Sequence, residues 1–344
     1  MKSYTSSKII LPAQRVKRMA PMNIVENERG FFAHEYERLF QEVRLEKYRH
    51  INSSAEGILF KGHSVIKQNK INSLWNDFQC LVKNYLLKKK IVLNQSESYL
   101  LVTDQWSQGY FHWMCDVLPK LLLIEHLLKE CILLIPETLL KFHVVNQTLK
   151  IFDMKGVQSM SSGSYVQIPN LLVPGYAAPT GNYNEEIMRR IRKRYTDFYK
   201  HTETNLGERI YVSRSRMKKR RIANESEVIP LLESFGFNTI FFEDYTFEQQ
   251  VSISKNAKIL VGAHGAGLTN ALFMNPQSSL LEIRQHKDRT NLCYFSLASA
   301  LDINYYYLFG DPIKNNPLNK EDSSGELLVN TDKMRNLLQQ LNLK

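Results

Sequence analysis

Apolar positions along this 344-residue chain change their spacing in a regular way from residue 98 onward. Ser98–Asp104 (SYLLVTD) is a short apolar run with strand character, and Gln108 to Leu128 spaces its apolar residues as a long helix does. Cys131–Pro136 (CILLIP) is again a short buried strand, Glu137–Phe152 fits a further helix, and Val166–Pro174 predicts another strand. Ala177–Asn184, with Pro179, Gly181 and two Asn, is a loop, and Asn184–His201 is a basic helix. The polar stretch His201–Glu208 contains Gly207 and serves as a linker, which places a domain boundary near 202–207.

A clearer series follows. Arg209–Arg214 (RIYVSR) is a strand, Asn224–Phe235 a helix ended by Gly236, Thr239–Asp244 (TIFFED) a strand and Phe247–Asn256 a helix. Lys258–Gly267 (KILVGAHGAG) is a strand running into a glycine loop, Leu280–Arg284 a strand, Asn291–Leu301 a helix and Asn304–Phe309 the last strand. Residues 1–95 are charge-rich and irregular, with helix-like periodicity in Glu35–Tyr48 and around Leu74–Leu87. Strand and helix in alternation imply parallel α/β sheets. The expected organisation is an N-terminal region, 1–95, joined to an α/β domain at 96–204, and a doubly wound α/β domain at 205–344. Such sheets bind ligands at the carboxyl ends of their strands, so the residues after VSR, LVG and LEIR are the first candidates.

Composition sharpens this picture. With 43% apolar, 11% aromatic and 23% charged residues the chain is a folded, water-soluble protein, not a disordered or collagen-like one. Forty-five Lys and Arg against 34 Asp and Glu give a net charge of +11, which favours anionic partners: nucleic acid, acidic membrane or phosphorylated small molecules. Cys80, Cys115, Cys131 and Cys293 are scattered, which argues against a zinc site or a disulfide framework and fits a reducing compartment. The N-terminus has only the short apolar run Ile9–Leu11, too little for a signal peptide, and Val117–Pro136 is interrupted by too many charges to span a membrane.

Three segments carry candidate chemistry. In Ile259–Asn270 (ILVGAHGAGLTN) three glycines follow a buried strand and let backbone approach a diphosphate; a ligand-free tight turn is the bland alternative, against which His264 between Gly262 and Gly265 weighs. In Tyr211–Glu225 six basic residues lie between Arg214 and Arg221, and Arg214 and Arg216 could grip phosphate oxygens bidentately, whereas Lys218, Lys219 and Arg220 read as a solvated face. The segment lacks interleaved aromatics for base stacking. In Gly109–Pro119 (GYFHWMCDVLP) His112 and Asp116 share a helix face at a spacing that lets a carboxylate orient an imidazole, although surface pairs at this spacing are common; Pro119 marks a kink or a new start. Glu282 ends an apolar strand where sheets of this type hold ribose, its bland alternative being an ion pair with Arg284 or Arg221. No DxD pair occurs, so a carboxylate-bound metal has no obvious ligands.

These stretches, YFHWMCDVLPKL, YVSRSRMKKRRIANESEV and LVGAHGAGLTNALFMNPQSSLLEIR, resemble the family 61 glycosyltransferases, also described as a domain of capsular polysaccharide biosynthesis proteins. The resemblance covers about residues 98 to 310. It implies a GT-B architecture of two Rossmann-like, doubly wound domains facing a cleft, inverting transfer from a nucleoside diphosphate sugar, and no cofactor or essential metal. It also implies that Arg214, Asn224, His264, Gly265 and Glu282 bind the donor nucleotide, within a site that extends to Ser213, Arg216, Arg221, Ala266, Gly267 and Asn270. His112 and Asp116 would lie on the acceptor side, either one being the base. The expected partners are a nucleotide sugar and a glycan or lipid-linked glycan acceptor in surface polysaccharide assembly. A cytoplasmic location with peripheral contact to acidic membrane fits the basic charge, and nucleic acid is not expected. A nonenzymatic nucleic-acid- or glycan-binding protein using Arg189–Arg194 and Arg214–Arg221 is the alternative.

Overall fold

A computed structural model describes residues 5–66, 77–204, 206–286, 288, 291–313 and 325–342. The predicted C-terminal series forms a six-stranded sheet in the order Asn238–Ile240, Arg209–Val212, Ile259–Ala263, Ser279–Gln285, Asn304–Pro312 and Leu327–Leu328. The first five strands are parallel and the last is antiparallel. Numbered along the chain, the parallel strands lie in the order 2-1-3-4-5, so the winding reverses between Arg209–Val212 and Ile259–Ala263, the crevice where open α/β sheets take ligands.

Side chains alternate between the faces of this sheet. Tyr211, Val261, Ala263, Leu281, Ile283, Tyr306 and Leu308 pack with Val228, Leu231 and Leu232 of helix Glu225–Ser234 and with Met334, Leu337 and Leu338 of helix Thr331–Asn342. The last helix was not expected from the sequence. Thr239–Asp244 is a strand only to Ile240, after which Phe242–Asp244 is a 3-10 turn. Helix Phe247–Asn256 has the predicted limits, set by a capping box in which Thr246 and Gln249 exchange hydrogen bonds.

The chain divides into two compact units, Met1–Gln14 with Phe40–Thr180 and Arg15–Leu39 with Gly181–Lys344. The division falls before the basic helix, observed at Glu185–Phe198 and capped by Asn184, rather than near 202–207. The helix belongs with the second unit because Arg189 and Arg192 donate to the carbonyl oxygens of Ala300 and Leu301, at 3.1 and 2.7 Å. The insertion Arg15–Leu39 is held there too. Phe32 is fully buried against the rings of Phe295 and Tyr307, and Arg18 pairs with buried Glu35 at 2.9 Å. Truncating a ring buried this way costs about 3–5 kcal/mol, enough to fix the segment in place.

The first unit contains a nine-stranded mixed sheet. The expected helix at Glu35–Tyr48 is instead strand Glu37–Phe40 and the start of strand Val43–Ser54. The reason is long-range pairing, since Val43–Ser54 lies antiparallel to both Ser6–Leu11 and Ser164–Pro174. The periodicity around Leu74–Leu87 corresponds to helix Asp77–Leu87, its first residues lying outside the described ones. Parallel strands Val157–Met160, Ile132–Pro136, Tyr99–Leu101 and Ser164–Pro174 follow one another in space. The winding thus reverses between Tyr99–Leu101 and Ser164–Pro174. Glu137–Phe152 is two short helices, Glu137–Leu140 and His143–Leu149, rather than one.

Candidate functional site

The second unit's reversal point brings two predicted segments together. Val212 pairs with Gly262, so the residues two further on, Arg214 and His264, leave adjacent strands at the same level. A Cβ at Gly265 would overlap the guanidinium of Arg214, and one at Gly267 would come within 2.9 Å of Val212 Cγ1. Glycine at 265 is therefore what lets the arginine lie across the loop. Arg214 donates from Nη2 to the carbonyl of Lys219 at 3.3 Å, while its buried Nε has no hydrogen-bond partner among the described residues. Burial, then the charge of Arg220, pulls its pKa down. A buried donor without an acceptor costs about 1–3 kcal/mol, a cost that an anion placed there would remove.

His264 is nearly enclosed. Its Nδ1 donates to Glu282, a carboxylate being able only to accept, and Nε2 lies 3.0 Å from Asn291 Nδ2. Glu282 has no exposure and also accepts from Tyr305 Oη at 2.6 Å and Arg284 Nη1 at 3.4 Å. Burial pushes Glu282 up, but the charges of Arg284 and His264 and the hydrogen bonds from His264 and Tyr305 outweigh it and hold its pKa below the ordinary value. The ion pair with Arg284 and the bond to His264 coexist. Tyr294 donates to the Gly265 carbonyl at 2.6 Å and pins the loop. The helix that follows, Ala266–Phe273, is 3-10, with Ala266 exposed and Asn270 buried beside Gln250 at 3.3 Å.

Other predicted residues have intramolecular roles. Ser213 donates to Glu225 at 2.8 Å, and Arg216 pairs with Asp244 at 2.6 Å while lying over the Phe241 ring. Arg221 bonds Glu326, and Asn224 exchanges two hydrogen bonds with the backbone of Val329. These last two hold the edge segment around Leu327 and are not at the reversal point.

In the first unit the predicted long helix has three parts, Tyr110–His112, a π-helical turn at Trp113–Val117, and Leu118–Leu123. Pro119 has no N–H and its ring crowds the preceding turn, so the wide turn ahead of it is how the helical run continues. His112 Nδ1 lies 2.8 Å from Asp116 Oδ2. Asp116 is 5% exposed and His112 26%, and His112 Nε2 has no hydrogen bond among the described residues. Burial pushes Asp116 up and wins over the hydrogen bond and charge of His112 and the charge of Lys120, leaving its pKa above the usual carboxylate value.

Sequence reasoning missed Asp104, Lys120 and Tyr176, which stand around this pair. Two signals were readable: Asp104 ends the run SYLLVTD at a strand's carboxyl end, and Lys120 repeats the four-residue step from His112 to Asp116. All four cysteines are buried, and none is joined in a disulfide. Among the described residues no three His, Cys, Asp or Glu side chains cluster as metal ligands, and no helix is long and apolar enough to cross a membrane.

A family model described as Glycosyltransferase 61 matches residues 110–281, half of the chain. The chain is 35% identical over 98 residues to the EGF domain-specific O-linked N-acetylglucosamine transferase of Drosophila melanogaster, an alignment covering 28% of this chain and 18% of that protein. It is 36% identical over 86 residues to protein O-linked-mannose beta-1,4-N-acetylglucosaminyltransferase 2 of Homo sapiens, covering 24% and 15%. The chain thus spans less than a fifth of the length of either relative.

Proposed function

The chain belongs to the glycosyltransferase 61 family, and on that footing we propose that it moves a sugar from a nucleoside diphosphate sugar to a hydroxyl of a glycan or lipid-linked glycan of the surface polysaccharide kind. The second unit holds the donor and the first supplies the base, as in a GT-B enzyme. The observation that carries this proposal is Arg214 lying over Gly265 at the reversal of the sheet, its buried Nε unpaired among the described residues, beside a histidine anchored by Glu282. That is a cationic, glycine-floored crevice suited to a diphosphate.

In the reaction the acceptor oxygen bonds to the anomeric carbon as the bond from that carbon to the diphosphate oxygen breaks, with inversion. Asp116 holds His112 by Nδ1, so the proton goes to Nε2, the nitrogen without a partner among the described residues. Arg214 meets the charge of the departing diphosphate, on a loop that His264 helps to hold through Glu282 and Asn291. With these side chains in that role, activity is expected to persist in EDTA; loss on chelation and recovery with manganese would contradict it. Both relatives named above are N-acetylglucosamine transferases by name, which makes nucleoside diphosphate N-acetylglucosamine the first donor to try. A donor screen read by mass spectrometry should reveal hydrolysis or transfer with at least one nucleotide sugar. Neither reaction nor thermal shift with any of them would overturn the proposal. The nucleic-acid alternative has less support, because Arg189, Arg192, Arg216 and Arg221 are bonded within the protein.

A further inference from the structure

Beside His112 stands a tryptophan that the proposed chemistry does not use. Trp106 lies in the turn that joins strand Tyr99–Leu101 to the helical run from Tyr110, where the winding of the first unit's sheet reverses. Its side chain is 37% exposed, and its ring centroid is 5.0 Å from that of the His112 imidazole, at a tilt of 42°. Phe111 meets the same imidazole nearly at right angles, at 5.1 Å. A Cβ at Gly109 would come within 3.2 Å of His112 Cδ2 and 3.4 Å of the Trp106 carbonyl, so glycine there leaves room for both.

The turn is fixed through Asp104. Its Oδ1 accepts from the Trp106 N–H at 2.9 Å and from the Ser107 hydroxyl at 3.2 Å, and the Ser107 hydroxyl accepts from the Asp104 N–H at 2.9 Å. The Trp106 carbonyl accepts from the Gly109 N–H at 2.9 Å. Asp104 Oδ2 accepts from the Tyr176 hydroxyl and from the buried Lys120 ammonium at 3.4 Å, and that ammonium lies over the Tyr176 ring. Leu100 pairs with Leu172, so Asp104 and Tyr176, each four residues further on, leave the two parallel strands at the same level. Single exposed rings are ordinary on protein surfaces. This one is held at its backbone, in the crevice where such sheets take ligands, against the imidazole that takes the proton.

We propose that the Trp106 ring is the platform on which the acceptor sugar stacks, its C–H face on the indole and one hydroxyl turned to His112 Nε2. The proposal rests on the reading of His112 as the proton acceptor. The face of an aromatic ring is negative and attracts the polarised C–H bonds of a pyranose, and a pyranose joins such a face to a rim of hydroxyls in one rigid body. Lys120, the cation of the cluster, is buried and engaged by Asp104, so it offers an anion no open charge, and the platform fits a neutral sugar rather than a phosphate. Stacking on a ring that cannot swing away holds the hydroxyl within reach of Nε2, which is how a binding residue contributes to rate. Asp104, Lys120 and Tyr176 then share one task, holding the turn that carries the ring.

The test is saturation-transfer NMR on the full chain with the methyl glycosides of glucose, galactose, mannose and N-acetylglucosamine, each with uridine or guanosine diphosphate present. Wild type is compared with Trp106→Phe, Trp106→Leu and Trp106→Ala. At least one glycoside should receive saturation on its ring C–H protons in wild type and in Trp106→Phe. Its affinity should fall about tenfold in Trp106→Leu and Trp106→Ala, the worth of a good aromatic contact. Leucine keeps apolar bulk without a π face, so its loss separates stacking from packing. Should Trp106→Ala not fold, Trp106→Leu decides. Diphosphate affinity in the same variants should equal that of wild type. No saturation of any glycoside in wild type, undiminished affinity in folded Trp106→Leu, or affinity in Trp106→Phe as low as in Trp106→Leu would overturn the proposal. So would binding that depends on Trp106 for a threonine-containing peptide and for none of the glycosides. The measurement needs no turnover, so a failed donor screen would count against the transferase assignment and leave this result standing.

Discussion

Each unit holds a histidine bonded through Nδ1 to a carboxylate near the point where its sheet reverses, yet the two pairs are built differently. His264 has Asn291 against Nε2, and its partner Glu282 is also bonded by Tyr305 and Arg284. His112 is a quarter exposed with Nε2 unbonded among the described residues, and its partner Asp116 has its pKa raised where Glu282 has its lowered. A histidine bonded at both nitrogens is held in place as part of the scaffold, whereas one bonded at a single nitrogen can accept a proton. Burial is similar for the two carboxylates, so the number of partners decides the difference.

The strongest challenge to this contrast is His112→Ala, which should lower kcat by about 10²–10⁴-fold, the usual worth of a general base. Near-normal turnover would make the pair structural. Next in size is stability. Glu282→Gln breaks a fully buried charge cluster and should cost about 3–5 kcal/mol in urea unfolding at neutral pH, while Asp116→Asn should be neutral or stabilising. The pH dependence has opposite signs. Glu282, depressed in the folded state, stabilises above its unfolded value of about 4.3, and that contribution disappears as pH falls through the folded value. Asp116, raised when folded, contributes below about 3.9 and loses that contribution as pH rises. Urea midpoints of the two variants from acid to neutral pH should therefore diverge from wild type in opposite senses. Smaller again is Gly265→Ala, whose Cβ must displace Arg214 and should weaken nucleoside diphosphate binding about tenfold. Smallest is Arg216→Ala, the loss of an exposed pair, expected to change stability by less than about 1 kcal/mol.

The second unit was largely legible because each of its parallel strands is followed by a helix of its own, so local periodicity and fold agree. The N-terminal region was not. In Val43–Ser54 the buried residues Tyr48 and Ile51 fall three apart, as in a helix, and it is pairing with Ser6–Leu11 and with a strand more than a hundred residues later that makes the segment extended. Nothing local marks Arg15–Leu39 as part of the second unit, since its anchor, Phe32, packs on Phe295 and Tyr307. At the sites, Arg214, Gly265, His264 and Glu282 do meet, and so do His112 and Asp116. Asn224 and Arg221, equally prominent in sequence, face the Glu326–Val329 edge, because a basic or amide side chain after a strand does not reveal which neighbour it bonds. Asn291 and Tyr176 reach their sites from distant loops and carry no local signal.

The division of roles between the units is tested most directly by calorimetric titration of uridine and guanosine diphosphates into wild type, Arg214→Ala and His112→Ala. For whichever diphosphate binds, the expected result is an affinity lower by about tenfold or more in Arg214→Ala, the loss of a charge-assisted hydrogen bond, and one equal to wild type in His112→Ala. Unchanged affinity in folded Arg214→Ala, or its loss in His112→Ala, would contradict the account.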